Sequence, residues 1–141
     1  MTIRTAAPAD ALHLLPLLAQ LGYTKLNRTG VEGKIKEYSK PEYKLMVCEH
    51  NGRIEGFIAL HIFEIFHSPG CAGRITAFCV NESVRGQGLG TTLLREAEKY
   101  FTEHKCNIVE VTSNNRRAET HEFYIRRGYT NSSLKFVKLL T

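Results

Sequence analysis

The chain has 141 residues, of which 43% are hydrophobic and 23% charged, and its formal net charge is +5. That length admits one domain (1–141) with a single core, and the composition excludes a disordered or fibrous protein. The positive charge suits an anionic small ligand but is too small and too dispersed for a nucleic-acid surface; its densest clusters, Arg116-Arg117 and Arg126-Arg127, read equally well as solvated helix ends.

Residues 1–6 read as a short first strand. "APADALHLLPLLAQLGY" then sets Leu12, Leu15, Leu18 and Leu21 at helical steps, with Gly22 as a stop and Pro16 expected to kink or split the helix. "GVEGKIKEYSK" reads as a second, more polar helix ending before Pro41. The period then changes to that of a hairpin, "YKLMVCEH" and "IEGFIALHIFEIF" around an Asn-Gly turn. "HSPGCAG" reads as a loop, and "RITAFCV" as the next strand. Beyond a glycine-rich turn, Leu89, Leu93, Leu94, Ala97, Tyr100 and Phe101 trace one face of a helix running to about His104. "NIVEVTS" reads as a strand, "AETHEFYIRR" as a helix stopped by Gly128, and "SLKFVKLL" as a last strand. The order β-α-α-β-β-β-α-β-α-β describes an α/β protein with a mixed sheet and flanking helices.

Four cysteines, at 48, 71, 79 and 106, have no C-x-x-C spacing, and no signal peptide is recognisable in "MTIRTAAPAD". The expected setting is the reducing cytoplasm. No apolar run approaches the roughly 18 residues of a membrane span.

The stretch "VNESVRGQGLG" carries the strongest chemical signal. A P-loop requires a lysine after the glycines, and Gly90 is followed by Thr91-Thr92 instead. A dinucleotide-binding turn would begin at Gly86 and Gly88, with Glu110 at the distance of a ribose-binding carboxylate, but its third glycine is replaced by Thr91. That motif also belongs to an early βαβ unit, whereas this turn follows about four strands. The remaining pattern is R-x-x-G-x-G, formed by Arg85, Gly88 and Gly90. Glycines let the main chain approach a ligand closely, and a helix N-terminus then offers amide groups to an anion.

"CVNESVRGQGLGTTLLREAEKYF" resembles the acetyl-CoA signature of the GNAT superfamily of N-acetyltransferases, and "AETHEFYIRRGY" is similar to that superfamily's second landmark. The resemblance covers essentially the whole chain. It implies a GNAT-type fold with splayed central strands and direct acetyl transfer from acetyl-CoA to an amine. It also implies that the main chain around Arg85, Gly86, Gln87, Gly88, Leu89, Gly90 and Thr91 holds the coenzyme pyrophosphate. The same likeness gives the pantetheine arm main-chain partners at Phe78 and Val80, and gives the thioester carbonyl an N–H near Cys79 or Val80.

The resemblance also points to Tyr124 as the general acid; a phenol of pKa about 10 stays protonated at neutral pH and can donate to the departing thiolate. Many relatives carry a glutamate on the strand before the signature, where this chain has Thr76 and Ala77. The base therefore stays open among Glu64, Glu110, His61 and His67, with or without a relaying water, or no protein base at all. Glu110 alternates with Val109 and Val111 and reads also as a solvated strand position. Arg117 stands where many relatives have asparagine; it reads either as a contact to a coenzyme phosphate or substrate anion, or as a solvated helix start.

In a strand, His61, Phe63, Ile65 and His67 would share one face, and two histidines there could bind an anionic head group or a divalent metal, or simply pack. "ALHIFEIFH" and the segment from Ser113 onward are similar to the aminoalkylphosphonate N-acetyltransferases, with His61, Arg117, His121, Tyr124, Gly128 and Phe136 at matching positions. That likeness implies a small primary amine bearing a phosphonate, and a possible divalent metal. Lys34, Lys36 and Lys40 could draw such an anion or form a solvated face. Rival acceptors are a polyamine, an aminoglycoside or a protein N-terminus, and a rival class is a coenzyme A-binding module without catalysis. Family analogy also raises a homodimer.

Overall fold

The computed structural model describes residues 1–112 and 118–141, with the side chain of Ala118 left aside. It divides into two compact units, Met1–Val111 and Thr112–Thr141. The first holds a five-stranded sheet in the order β1-β2-β3-β4-β5, built from β1 (Thr2–Thr5), β2 (Tyr43–His50), β3 (Arg53–Glu64), β4 (Cys71–Val80) and β5 (Cys106–Val111). All neighbours are antiparallel except β4 and β5, which run parallel with helix α3 (Leu89–Glu103) as their crossover. Helices α1 (Ala11–Gln20) and α2 (Arg28–Glu37) stand between β1 and β2 in the chain, and α4 (Ala118–Arg126) lies in the second unit.

The hairpin between β2 and β3 turns at Asn51 (φ 53°) and Gly52 (φ 74°), the left-handed pair that matches the twist of the flanking strands. One core packs α1 and α2 on the sheet, with Ala11, Leu14, Leu17, Val31 and Ile35 against Leu45, Val47, Phe57, Ala59 and Cys79. On α3, Leu89, Leu93, Leu94, Ala97 and Phe101 are buried, as the spacing predicts.

Several expectations are corrected. Helix α1 is not split at Pro16. Leu12, whose carbonyl would lose its amide partner, is exposed, so water can take that place. The fully buried stripe runs through Ala11, Leu14 and Leu17, with Leu15, Leu18 and Leu21 partly buried beside it and Leu12 exposed. Strand β3 ends at Glu64, before the expected Phe66, and Cys71, Ala72 and Gly73 belong to β4 rather than to a loop. The last strand is absent: residues 129–141 have no regular structure, and Phe136 is 89% exposed. Strand-like composition alone does not make a strand; the backbone also needs a ladder partner.

Candidate active site

Strand β4 changes character along its length. Its ladder with β5 runs from Cys71↔Cys106 to Ile75↔Val111, while its ladder with β3 continues to Val80↔Gly56. On the β3 side the register passes from Ile75↔Leu60 to Ala77↔Ala59, so Thr76 is an extra, bulged residue. Its hydroxyl donates to the Ala59 carbonyl at 3.3 Å and shares a 2.8 Å hydrogen bond with the Tyr38 hydroxyl. A bulge bends its strand and raises the local twist. Here it coincides with the point where the β4–β5 ladder stops, and β4 then runs on from Thr76 to Val80.

The glycine turn follows directly. Asn81 leads into a short 3-10 turn (Glu82–Val84), its side chain accepting from the Ser83 amide at 3.3 Å. Arg85 folds back so that its Nε donates to the Val80 carbonyl at 3.2 Å, yet its side chain remains exposed. Gly86 (φ 84°) and Gly88 (φ 85°) are both left-handed, which explains glycine at these positions; an added Cβ would meet nothing, so conformation rather than crowding selects it. Gly88 caps α3 without a side-chain hydrogen bond, and its carbonyl accepts from the Thr92 amide and hydroxyl at 3.1 and 2.9 Å. Left-handed residues interleaved with ordinary ones aim successive amides into one concavity, here at the positive end of α3. Leu89 is buried and anchors the helix start, while Gln87 is exposed and Gly90 and Thr91 are half-buried.

Sequence reasoning missed the brace beneath this turn. The Asn81 amide donates to the Glu55 carbonyl at 2.8 Å, and its side chain donates to the Glu55 carboxylate at 3.3 Å. Gln20, at the end of α1, donates to the Asn81 side chain and accepts from the Glu82 amide, both at 3.1 Å. Glu55 is buried, and a buried carboxylate requires such partners. Gln20 and Asn81 lie 61 residues apart, so no local pattern announces them.

Beside the bulge lies a row of rings. Tyr38 packs on Tyr43 (centroids 4.7 Å), Tyr43 stacks on His61 (4.4 Å, planes at 10°), and His61 on Phe63 (5.6 Å). The Arg74 guanidinium lies 4.6 Å from the Phe63 ring centre, and its Nε donates to the Glu110 carboxylate at 2.6 Å. His61, Arg74 and Glu110 share a face through their register, whereas Glu64 lies on the opposite face with Cys71. His61 makes no side-chain hydrogen bond to another described residue. His67 lies beyond the end of β3 and is exposed, so the expected alternation does not extend to it. Cys79 is buried in the core, with Sγ 3.5 Å from the Leu17 carbonyl, while Phe78 and Val80 are half-buried. Lys34, Lys36 and Lys40 are exposed on or just after α2, and Lys40 pairs with Glu37 at 2.9 Å.

In the second unit, Tyr124 is buried on α4, between Phe123 (ring centroids 5.4 Å) and Tyr129 (5.5 Å). Its carbonyl accepts from the amides of Arg127 and Tyr129 at 3.0 and 3.1 Å, and Gly128 (φ 89°) supplies the left-handed stop. Arg127 covers Phe123 with its guanidinium 3.7 Å from the ring centre. His121 is half-buried on the same helix. Arg116 and Arg117 lie outside the described residues. Among the described residues, no three His, Cys, Asp or Glu side chains cluster as a metal site would, and no helix is long and apolar enough to cross a membrane.

The chain is similar to known proteins over nearly its whole length. It is 28% identical over 139 residues to the aminoalkylphosphonate N-acetyltransferase of Salmonella typhimurium, covering 98% of this chain and 90% of that protein. The structure of glucosamine-6-phosphate N-acetyltransferase from Arabidopsis thaliana superposes with a TM-score of 0.85 at 22% identity, covering 99% of this chain and 98% of the other. An aminoglycoside acetyltransferase from an uncultured soil metagenomic sample, in complex with sisomicin, superposes with a TM-score of 0.83 at 18% identity, covering 99% and 96%. These two likenesses show the fold. Residues 17–129 match the model of the acetyltransferase (GNAT) family. The chain therefore belongs to the GNAT family and is an acetyl-CoA-dependent N-acetyltransferase that acts on amines.

Proposed function

We propose that the acceptor is a small primary amine bearing a phosphonate, and that residues 1–141 act as one catalytic domain in the cytoplasm. The likeness to the aminoalkylphosphonate enzyme carries the choice of acceptor. Exposed Lys34 and Lys36 supply positive charge for an anionic head group. The left-handed glycines at 86 and 88, opening onto α3, support binding of the coenzyme pyrophosphate between Arg85 and Thr91. The end of the β4–β5 ladder at Ile75 supports a pantetheine arm lying along Phe78–Val80. An amide N–H at Cys79 or Val80 then polarises the thioester carbonyl as the tetrahedral oxyanion forms.

The amine nitrogen attacks the acetyl carbon directly, the C–S bond breaks, and Tyr124 donates its phenolic proton to the departing sulfur. Of the base candidates, His61 suits best. Glu110 is paired with Arg74, and Glu64 lies on the opposite face of β3. His61 sits half-buried among rings with its nitrogens uncommitted to other described side chains. His67 and Arg117 remain second choices for holding the acceptor's anion. A divalent metal would fall to His61 or His67. The exposed Leu134, Phe136, Val137, Leu139 and Leu140 support a homodimer, which sedimentation would test.

Thiol release from acetyl-CoA tests the acceptor. Aminomethyl- and aminoethylphosphonate are compared with a polyamine, an aminoglycoside and a peptide, each with and without a divalent metal. Turnover confined to the phosphonates is expected; turnover confined to another amine overturns this acceptor. Since β4 carries no glutamate, a coenzyme-binding module without catalysis is the second reading. Tyr124→Phe separates the two. It should keep acetyl-CoA binding while turnover falls about 10- to 1,000-fold, and unchanged turnover removes Tyr124 from the chemistry.

A further inference from the structure

Two of the cysteines meet at the far end of β4, away from the glycine turn. Cys71 opens β4, Cys106 opens β5, and the register pairs them directly. Their Sγ atoms are 3.5 Å apart. Neighbouring strands run about 4.8 Å apart, which falls within the Cα separation of about 4.4–6.8 Å that a disulfide spans.

The surroundings hold the two sulfurs together. The register next pairs Ala72 with Ile108, so Asn107 is an extra residue on β5. A bulge of this kind re-aims the side chains beside it. The Asn107 side-chain amide donates to the Pro69 carbonyl at 3.1 Å, tying the loop before Cys71 to the residue after Cys106. A Cβ added at Gly70 (φ 81°) would come within 2.7 Å of that amide, so glycine is required for the tie. Cys71 Sγ also approaches the His104 carbonyl at 3.6 Å, in the turn that leads from α3 into β5.

The other two thiols, Cys48 and Cys79, are buried, whereas Cys71 and Cys106 are partly exposed and within reach of a small oxidant. Burial and the adjoining Cys71 thiol push Cys106 up to about 12. That shift disfavours the Cys106 thiolate.

We propose that Cys71 and Cys106 form a redox-active dithiol that a hydroperoxide closes into a disulfide between β4 and β5. The Cys71 thiolate attacks one oxygen of the peroxide, the O–O bond breaks, and the departing hydroxide takes a proton to leave as water. Cys71 is then a sulfenic acid. The Cys106 sulfur attacks Cys71, the S–S bond forms, the S–O bond breaks, and the hydroxide leaves as water with the Cys106 proton. Two thiols lose two electrons in all, and hydrogen peroxide is reduced to two waters. The bond closes a loop that contains β4, the glycine turn and α3. It therefore restricts the unfolded chain and raises the thermal midpoint by about 5–10 °C, reversibly with dithiothreitol.

Peptide mapping of the intact protein tests this. After treatment with hydrogen peroxide, the protein is alkylated under denaturing conditions, digested and weighed by mass spectrometry. The expected product is a linked pair of peptides carrying Cys71 and Cys106, with Cys48 and Cys79 alkylated. Cys106→Ser should instead leave a sulfenic acid on Cys71 that dimedone traps. If wild-type Cys71 and Cys106 are recovered alkylated, over-oxidised or linked to other cysteines, the proposal is overturned, whether or not the variant folds.

Discussion

The two halves of β4 are built differently, although they form one continuous strand. From Cys71 to Ile75 the strand is hydrogen-bonded on both edges, to β3 and to β5. Gly73 lies under the Phe101 ring of α3, and Arg74 is tied across to Glu110. From Thr76 to Val80 the β3 ladder continues alone, and the strand passes into the glycine turn. The bulge at Thr76 marks the boundary. The protein thus stiffens one half with two ladders and a helix, and leaves the other half, proposed above as a rim for the coenzyme, with the β3 ladder alone.

The largest test of this division is Gly73→Ala. A Cβ there would enter the van der Waals shell of the Phe101 ring, which is 1% exposed and has little room to move. Overpacking at such a position costs about 3 kcal/mol. Urea unfolding should show that loss, while acetyl-CoA affinity of the folded fraction stays within about twofold of wild type by the independence expected of separate sites. A variant as stable as wild type would mean that the stiff half tolerates bulk, and the contrast would fail.

Gly88→Ala probes the other half. At φ 85° an alanine is strained by about 1–2 kcal/mol, and the open space around this glycine offers no compensating contact. Stability should fall by about 1 kcal/mol, and the acetyl-CoA dissociation constant should rise about tenfold as the amides turn out of line. Isothermal titration would measure it, and an unchanged affinity would detach the turn from the coenzyme.

Arg85→Ala should act on binding alone. The side chain is exposed and contacts the Val80 carbonyl, so its removal leaves the core intact. Loss of one charge-assisted contact to a phosphate corresponds to about 1.5 kcal/mol, or roughly tenfold in affinity, and the effect should shrink with added salt. A fall in stability without a fall in affinity would make Arg85 a strut of the turn instead of a ligand.

Much of this was legible in the sequence because it rests on local rules. The left-handed glycines of the turn, the Asn-Gly hairpin and the apolar face of α3 are each fixed by neighbouring residues. What escaped depends on partners distant in the chain. "CAG" reads as loop chemistry, yet Gly73 is a strand residue because Phe101 occupies the space a side chain would need. The bulge at Thr76 and the brace of Gln20, Glu55 and Asn81 require the sheet to be assembled first. Residues 133–140 have strand-like composition, but a strand is defined by its partner, which composition does not supply.

The smallest expected effect lies away from both halves of β4. Arg4 on β1 donates to both carboxylate oxygens of Asp10 at 2.8 Å, and the Ala7 amide donates to one of them at 2.7 Å. These hydrogen bonds, Arg4 first, hold the Asp10 carboxyl below its ordinary value of 3.8 despite its burial. A carboxylate whose folded value is lowered contributes stability above its unfolded pKa and loses it as the pH falls through the folded one. Asp10→Asn should therefore cost about 1 kcal/mol at pH 7, a figure reduced because Arg4 is partly exposed to screening water. Below about pH 4, where the free carboxyl begins to hold its proton, the wild type gives up this advantage and the two stability curves converge. Acetyl-CoA affinity should not change, since the pair lies at the β1 edge of the sheet. A gap that stays constant down to pH 2 would show that Asp10 stabilises by packing alone. A lowered affinity would show that the rim of β4 answers to the opposite edge of the sheet, and its independence would be lost.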